Sequence, residues 1–354
     1  MLVKKKDESS RLCVDYRLLN RKIIRDRYPL PFIEDQLDLL QGAKTYSTLD
    51  LKNGFLHVRV DRDSRKYTFF SVPDGQYEFL KVPFSLCNSP SVFQRFINSV
   101  FQELLAKKIV LIYMDDIIVP SADQESGLNN LKIVLEVASG AGLLINWDKC
   151  RFLQPQVEYL GHIVKNGTVR PSEHKTKAVA RFPKPKNFRQ VQSFLGLTGY
   201  FRKFIPHYSL TARPLSNLLK AGAKFQFGIE QEQAFEQLKI ALASTPVLRL
   251  YKVGAETELH TDASKFGYGA ILLQKDDGDG GLHPIYFASG KTTPAEERYS
   301  SYELEVLAII KSLKKFRIYL QGIPFRIVTD CRAFASRDGH CCWRNSNTLS
   351  TPPR

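Results

Sequence analysis

A pair of adjacent carboxylates, Asp115 and Asp116, interrupts the apolar stretch 110–119. The residues on either side are typical of buried strands, and residues 114–116 are typical of the tight turn between two strands. Neighbouring acids in so apolar a segment are costly unless a cation neutralises them, and Mg²⁺ prefers oxygen ligands of this kind. A surface hairpin with a merely solvated acidic turn is the alternative. This stretch alone leaves both open.

A third carboxylate, Asp50, lies near the end of the predicted strand 45–51. If this strand shares a sheet with the 110–119 hairpin, Asp50, Asp115 and Asp116 converge. Three acids at strand ends are what a two-metal site needs, because one ion activates the attacking oxygen and the other stabilises the leaving one. Three unrelated surface acids are less favoured, because all three adjoin apolar strand residues.

A second set of acids lies in the last third of the chain. Asp262 ends the predicted strand 258–262, Glu305 lies inside a predicted helix running to about residue 320, and Asp330 ends the predicted strand 324–330. Ser300 and Glu303 have the spacing of a capping box that opens this helix. That pattern assigns Glu303 a structural role and leaves Glu305 as the functional candidate.

The elements that must position the first set of acids are short strands and two helices. An amphipathic helix opens at Ser89, with Ser89 as its cap and Pro90 as its first residue, and a second helix spans about 123–139. Further on, residues 165–248 are mainly helical. The other predicted elements are a basic two-stranded ribbon in residues 1–27, a helix at 33–40, strands at 55–60, 66–72 and 77–82, and helices at 188–205, 210–219 and 230–243.

The composition favours a polyanionic partner. Lys and Arg number 51 against 36 Asp and Glu, a formal charge of +15, which suits nucleic acid because neutralised phosphates release counterions. The six cysteines lack disulfide or zinc spacing, and no transmembrane or signal segment is evident. We therefore expect an intracellular protein that binds nucleic acid and no membrane.

Several motifs in order resemble those of reverse transcriptases, in particular the pol proteins of gypsy-like LTR retrotransposons. The segments are STLDLKNGF (47–55), VPFSLCNSPSVFQ (82–94), YMDD (113–116), the primer-gripping segment 152–162 with YLGH, and QSFLGLTGY (192–200). The resemblance covers roughly residues 2–334. Ser85 departs from it, since the family usually has Gly there.

The resemblance implies a role for each matching residue. Asp50, Asp115 and Asp116 would bind two Mg²⁺ ions, or Mn²⁺ in their place, and Phe55 would be the steric gate that rejects ribonucleotides; an ordinary core Phe is the alternative. Further residues would contact the nucleotide: Lys5 (or Lys4 or Lys6) and Arg11 at the triphosphate, Phe84 against the incoming nucleotide, and Lys149 as proton donor to pyrophosphate. A solvated basic face is the alternative for Lys5 and Arg11.

The segments around Asp262, Glu305 and Asp330 resemble three of the four carboxylate motifs of ribonuclease H, which would bind two further metal ions. The fourth acid and its accompanying His are expected after residue 334, where the sequence matches nothing. We therefore expect weak or absent cleavage of RNA–DNA hybrids.

The implied fold class is α+β: a right-hand polymerase with partial fingers, palm and helical thumb, followed by an incomplete ribonuclease H-like domain. The expected domains are 1–164 (fingers and palm), 165–248 (thumb), 249–334 (ribonuclease H-like) and 335–354 (disordered tail), with truncation at both ends. The expected function is RNA-directed DNA synthesis from dNTPs on RNA or DNA template–primers, with RNA–DNA hybrids as further partners. A catalytically dead nucleic-acid-binding remnant is the alternative. An RNA-dependent RNA polymerase fits Phe55 and the second set of acids poorly.

Overall fold

A computed structural model of the chain describes residues 2–4, 10–244, 247–276, 278–330 and 341–343, with side chains from residue 12 to residue 330. The described chain divides into two compact units. Unit 1 is Met1–Tyr159 and unit 2 is Leu160–Arg354. The residues predicted as thumb and as ribonuclease H-like domain thus share unit 2.

Unit 1 is built on a four-stranded antiparallel sheet in the order β6-β7-β3-β8. Two hairpins, β1–β2 and β4–β5, form separate two-stranded sheets, and the first is the basic ribbon that the sequence predicts. The strands of unit 1 are β1 (Leu2–Lys4), β2 (Ser10–Leu12), β3 (Thr45–Asp50), β4 (Phe70–Val72), β5 (Gly75–Tyr77), β6 (Leu111–Tyr113), β7 (Asp116–Ser121), β8 (Arg151–Gln154) and β9 (Val157–Tyr159).

Two helices cover this sheet with apolar faces. Phe93 and Ile97 of α3 (Ser89–Val100) and Leu131 and Val134 of α5 (Gln124–Gly140) pack with Leu49 of β3 in one buried cluster. The helices of unit 1 are α1 (Arg17–Asn20), α2 (Ile33–Asp38), α3 (Ser89–Val100), α4 (Gln102–Ala106) and α5 (Gln124–Gly140).

The structure corrects the prediction after β3. Asn53 adopts a left-handed conformation with φ of 58°, so the strand ends and residues Gly54–His57 form a 3₁₀ turn in place of the predicted strand 55–60. A second 3₁₀ segment, Arg62–Tyr67, and the short β4 and β5 replace the predicted strands 66–72 and 77–82. The cap of α3 is also one residue off: Asn88 precedes the helix, and the Ser89 hydroxyl donates to the Pro83 carbonyl.

Unit 2 contains a three-stranded antiparallel arrangement in the order β12-β11-β10 and a five-stranded sheet in the order β15-β14-β13-β16-β17. In the larger sheet β13 and β16 are parallel and the other neighbours antiparallel. The strands of unit 2 are β10 (His162–Lys165), β11 (Thr168–Pro171), β12 (Leu248–Arg249), β13 (Thr257–Ser264), β14 (Gly267–Lys275), β15 (Leu282–Lys291), β16 (Phe325–Val328) and β17 (Cys341–Trp343).

Two helices of unit 2 are shorter than the periodicity predicts, whereas the predicted helix 230–243 is confirmed as Ile229–Ala243. The predicted helix 188–205 ends at Tyr200, and the predicted helix to residue 320 ends at Lys315 before a short continuation. Buried Ser209 donates through its hydroxyl to the Ser289 carbonyl, which joins the helical segment to the sheet. The helices are α6 (Glu173–Ala180), α7 (Phe188–Tyr200), α8 (Tyr208–Thr211), α9 (Arg213–Leu218), α10 (Ile229–Ala243), α11 (Ser301–Lys315) and α12 (Arg317–Leu320).

The tail that the sequence predicts to be disordered includes strand β17, which pairs antiparallel with β16 through Cys341 opposite Ile327. The other residues of the tail lie outside the described residues.

Candidate active sites

Asp50 and Asp116 lie directly opposite each other at the end of the β3–β7 pairing. Asp116 also pairs with Tyr113 across the β6–β7 hairpin, so the predicted turn at residues 114–116 is confirmed but consists of Met114 and Asp115 only. Met114 has a φ of 53°, the left-handed conformation that so short a turn requires. The register of two strand pairs thus fixes the positions of all three predicted acids.

Asp115 lies against Gly54, the first residue of the 3₁₀ turn. A Cβ atom added to Gly54 would lie 2.1 Å from Oδ1 of Asp115, a distance that real structures do not show. The Oδ1 atom is itself buried. Gly54 is therefore required for the close approach of the turn to the Asp115 carboxylate.

Gln94 fixes the other side of the same turn and was not predicted from the sequence. Its side chain is fully buried on α3, and its Oε1 accepts a 2.7 Å hydrogen bond from the Met114 backbone N–H. Its Nε2 donates to Oδ1 of Asn98, one helical turn further on. The sequence feature that could have identified it is a Gln on the apolar face of a predicted helix, because a buried polar side chain requires a hydrogen-bond partner.

The first acid set is electrostatically coupled. Desolvation by the surrounding protein, followed by the negative charge of Asp50, raises the pKa of Asp116. Among the described residues, Asp50, Asp115 and Asp116 do not form a group whose carboxylate oxygens all lie within 4.8 Å of one another. A carboxylate whose pKa is raised by a neighbouring carboxylate suits a hard divalent cation.

The structure brings the two predicted nucleotide-contacting aromatics together. The rings of Phe55 and Phe84 are 5.3 Å apart, and Phe55 also contacts Phe93 of the palm core at 5.5 Å. Phe55 thus lies one residue from Gly54, beside the Asp115 turn, and is partly buried. This placement accommodates the steric-gate role and the core role equally, and the choice between them stays a prediction.

Of the predicted basic residues Lys5, Arg11 and Lys149, the structure describes the side chain of Lys149 alone. Lys149 is exposed in the 3₁₀ turn Trp147–Lys149, which the Asn146 backbone N–H ties to the Asp50 carbonyl at 2.9 Å. The backbone of Arg11 lies in β2, and its side chain is outside the described residues, as is all of Lys5. Their roles at the triphosphate stay predictions.

The second acid set forms a tight group. Carboxylate oxygens of Asp262, Glu305 and Asp330 all lie within 4.8 Å of one another, with Glu305 buried and the two Asp exposed. The parallel register of β13 and β16 sets His260 opposite Val328, so Asp262 and Asp330 follow at matching positions two residues later. The sequence predicts that the strand ends at Asp262, but β13 continues to Ser264, so Asp262 lies inside the strand.

Backbone and side-chain donors hold Glu305 in place. The Ala263 N–H donates to its Oε1 at 3.2 Å, and the Thr329 hydroxyl lies 3.5 Å from its Oε2. Desolvation first, and then the charge of Asp330, raise the pKa of Glu305 to about 7. Three acids in mutual repulsion suit a divalent cation. Glu303, in contrast, completes the predicted capping box with Ser300.

The fold defines a class: a palm-type polymerase fold followed by a ribonuclease H-like sheet. Residues 3–164 match the family described as reverse transcriptase (RNA-dependent DNA polymerase), and residues 227–327 match the RNase H-like domain found in reverse transcriptase. Residues 3–164 thus belong to the reverse transcriptase family, and similar curated proteins are polyproteins of transposons. Domains of both kinds generally use divalent metals. The resemblance drawn from the motifs and the predicted fold class are confirmed.

Two curated relatives illustrate the similarity. The retrovirus-related Pol polyprotein from transposon 297 of Drosophila melanogaster is 39% identical over 335 residues, which are 93% of this chain and 31% of the relative. The transposon Tf2-3 polyprotein of Schizosaccharomyces pombe is 38% identical over 339 residues, 95% of this chain and 25% of the relative. The chain thus spans about a third or less of the length of these relatives.

Solved structures share the fold. The foamy viral protease-reverse transcriptase dRH in complex with double-stranded DNA superposes with a TM-score of 0.83 at 24% identity, covering 93% of this chain and 57% of that one. The foamy viral protease-reverse transcriptase in complex with RNA/DNA hybrid gives 0.76 at 24% identity, covering 93% and 44%. Among the residues that the structure describes, no helix is long and apolar enough to cross a membrane.

Proposed function

We propose that this chain extends a primer with dNTPs on an RNA or DNA template. The observation that carries the proposal is the opposed pair Asp50 and Asp116 at the Met114–Asp115 turn, within a segment of the reverse transcriptase family. Opposed acids next to a turn that is packed from both sides give a rigid set of oxygens. Rigid placement is what phosphoryl transfer requires, because catalysis there is mainly positioning and charge stabilisation.

Asp50, Asp115 and Asp116 are the residues that would hold two Mg²⁺ ions, or Mn²⁺. Bound divalent ions supply neutralisation of the charge that develops on the phosphate during transfer. The protein contributes the alignment: Gln94 holds the Met114 N–H, and Gly54 leaves room for the Asp115 carboxylate. Desolvation and then the negative charge of Asp50 raise the pKa of Asp116, and a cation bound here would offset that negative charge.

The nucleotide would be positioned by Phe55 and Phe84, whose rings are in contact beside the acids. A flat ring under the sugar excludes a 2′-hydroxyl and selects dNTPs. Lys5 and Arg11 would hold the triphosphate, since Lys acts as a point charge and Arg as a two-pronged donor. Lys149, adjoining the Asp50 backbone through its turn, would donate a proton to pyrophosphate.

The template–primer duplex would be bound in part by the turn at Leu160 and Gly161 of unit 2. The Tyr200 hydroxyl donates to the Leu160 carbonyl at 2.7 Å, and Nδ1 of His162 lies 2.9 Å from the same oxygen. These bonds make the turn rigid. The net charge of +15 and the nucleic acids present in the foamy viral structures support duplex binding by this chain.

Primer extension on an RNA template with dNTPs and Mg²⁺ tests the proposal. Wild-type protein should extend the primer, and Asp50→Asn should abolish extension while retaining duplex binding. The dead-remnant alternative predicts binding without extension by the wild type. Incorporation that Asp50→Asn leaves unchanged would contradict the proposed acid set.

A second candidate function rests on the tight group Asp262, Glu305 and Asp330. We propose that these residues hold divalent metal and cleave the RNA strand of RNA–DNA hybrids. Incubation of a labelled hybrid with wild-type protein should give weak cleavage, because the fourth acid and its accompanying His are expected after residue 334, where the sequence matches nothing. Glu305→Gln should remove this cleavage and Asp115→Asn should leave it intact. Cleavage that persists in Glu305→Gln would arise from another source, and the assignment would be wrong.

A further inference from the structure

Strand β15 and the α9 segment of unit 2 bring cations together at one end of the larger sheet. Lys291, the last residue of β15, donates a hydrogen bond to the Ser216 hydroxyl of α9. Arg213, the first residue of α9, lies over the ring of Phe266 in the β13–β14 turn, with Cζ 4.2 Å from the ring centroid. Lys220 follows shortly after α9. We call Arg213, Lys220 and Lys291 the Lys291 cluster.

The cluster holds like charges close together. Desolvation, and then the positive charges of Lys220 and Arg213, lower the pKa of Lys291. Glu297 lies 3.7 Å from Arg213 and compensates for one of the three charges. Like charges held at short range raise the energy of the folded protein, and an anion bound between them relieves the repulsion. The arrangement therefore favours an anionic ligand.

The position of the Lys291 cluster indicates which anion. Across strands β13, β14 and β15, one row of paired residues is Asp262, Gly269 and Ser289. The row two residues further along is Ser264, Gly267 and Lys291. Lys291 is therefore two strands across and two residues along from Asp262. With strands 4.8 Å apart and a rise of 3.4 Å per residue, the two Cα atoms are roughly 12 Å apart. A duplex bound at Asp262, Glu305 and Asp330 would extend over this distance and reach Lys291.

We propose that the Lys291 cluster binds a backbone phosphate of a nucleic-acid duplex whose next phosphates approach Asp262, Glu305 and Asp330. The inference rests on the proposed binding of duplex by this chain and adds a contact for it. Lys291 and Lys220 supply ammonium donors and Arg213 a planar fork, the donor types that bind phosphate. Ser216 positions Lys291, because its own hydroxyl proton is donated to the Arg213 carbonyl at 3.0 Å.

Fluorescence anisotropy over a range of salt concentrations, with an RNA–DNA hybrid as probe, tests this. Each phosphate contact contributes roughly −0.9 to the slope of log affinity against log salt. Lys291→Gln should weaken binding severalfold for every sequence and reduce the slope by about 1, whereas Lys291→Arg should retain the wild-type slope. An unchanged slope in Lys291→Gln overturns the inference.

Lys275→Gln is the matched control. Lys275 lies at the other end of the β14–β15 pair, opposite Leu282, about 30 Å along the strands, and its substitution removes the same charge. It should leave the slope unchanged; equal effects of Lys275→Gln and Lys291→Gln would indicate a general charge effect and overturn the inference.

A hybrid with one neutral methylphosphonate linkage, moved along each strand, then locates the contact. One position should weaken binding to wild type but not to Lys291→Gln, and the absence of such a position contradicts the inference. Primer extension on the same preparation separates the two proposals. Normal extension with a salt slope that does not depend on Lys291 would contradict this inference alone. A salt slope that depends on Lys291, without extension, would contradict the polymerase proposal alone.

Discussion

Asp50 and Asp116 are directly opposed residues at the end of two antiparallel strands, and Asp116 also closes the turn that carries Asp115. One residue of register shift in β3 would move Asp50 to the other face of the sheet. The buried residues of both strands, including Leu49 and Ile117, oppose such a shift. The site is therefore stabilised by the same packing that stabilises the palm.

Gly54→Ala should abolish most polymerase activity without unfolding the chain. The new Cβ would lie 2.1 Å from Oδ1 of Asp115, so the carboxylate or the 3₁₀ turn must move. A displacement of about 1 Å at a reacting centre costs on the order of 100-fold in rate. Single-nucleotide incorporation kinetics measure this loss, and circular dichroism monitors the fold.

Gly140→Ala is the control for this substitution. Gly140 is the last residue of α5, and a Cβ atom added to it would meet no atom within 4 Å, so the Ala variant should incorporate nucleotide at the wild-type rate. Wild-type kinetics in Gly54→Ala would show that the approach of Gly54 to Asp115 is dispensable.

Ser85→Gly should stabilise unit 1. Ser85 has a φ of 76°, a conformation that costs a non-glycine residue about 1–2 kcal/mol. The greater freedom of Gly in the unfolded chain offsets about 0.4–1 kcal/mol, which leaves a net gain of roughly 0.5–1 kcal/mol. Urea unfolding measures it, with Ser99→Gly inside α3 expected to destabilise; a loss of stability in Ser85→Gly would refute the strain.

Phe55→Ala should admit ribonucleotides. Removal of the ring opens space beside Phe84, and the ratio of kcat/KM for dNTP over rNTP should fall by roughly 10- to 100-fold. Phe55→Tyr keeps the ring and should keep the discrimination. An unchanged ratio in Phe55→Ala, with incorporation intact, would assign Phe55 to the palm core alone.

Because of His162, the free energy of unfolding of unit 2 should be lower at pH 5 than at pH 7. Burial, and then the charge of Lys203, lower its pKa from 6.5 to about 3, and its Nε2 has no hydrogen-bond partner among the described residues. The unfolded chain therefore binds the proton more readily, and stability falls as pH decreases below about 6.5. Between pH 7 and pH 5 the loss from this group is about 2 kcal/mol.

The measurement for His162 is the free energy of unfolding at both pH values. His162→Phe should remove this part of the pH dependence, because Phe201 and Phe204 already surround the ring with aromatic contacts. His174→Gln, at an exposed position of α6, should change nothing. Equal pH dependence of wild type and His162→Phe would contradict a buried neutral imidazole.

The parts of the structure set by strong local patterns could be predicted from the sequence. The acidic turn between two apolar runs, the basic ribbon and the Ser300–Glu303 capping box all follow from adjacent residues, and the structure contains each. The grouping of Asp262, Glu305 and Asp330 was implied by the resemblance of their segments to ribonuclease H motifs, although Asp262 lies within its strand.

Features that depend on tertiary contacts escaped prediction. Residues 55–60 alternate like a strand, but Asn53 turns the chain and Phe55 packs on the palm core, so a 3₁₀ turn forms. Gln94 was missed because its partner, the Met114 N–H, is distant in sequence. The Lys291 cluster joins α9 to β15, a pairing that no local periodicity encodes.

Single-turnover incorporation of one dNTP into a pre-bound RNA–DNA primer–template tests the central claim most directly. We predict that wild-type protein and Asp123→Asn, which alters an exposed helix cap, incorporate the nucleotide at similar rates. Asp115→Asn should bind the duplex with similar affinity and incorporate on the order of 100-fold more slowly or not at all. Tight binding by wild type without incorporation, or incorporation undiminished in Asp115→Asn, would contradict the account.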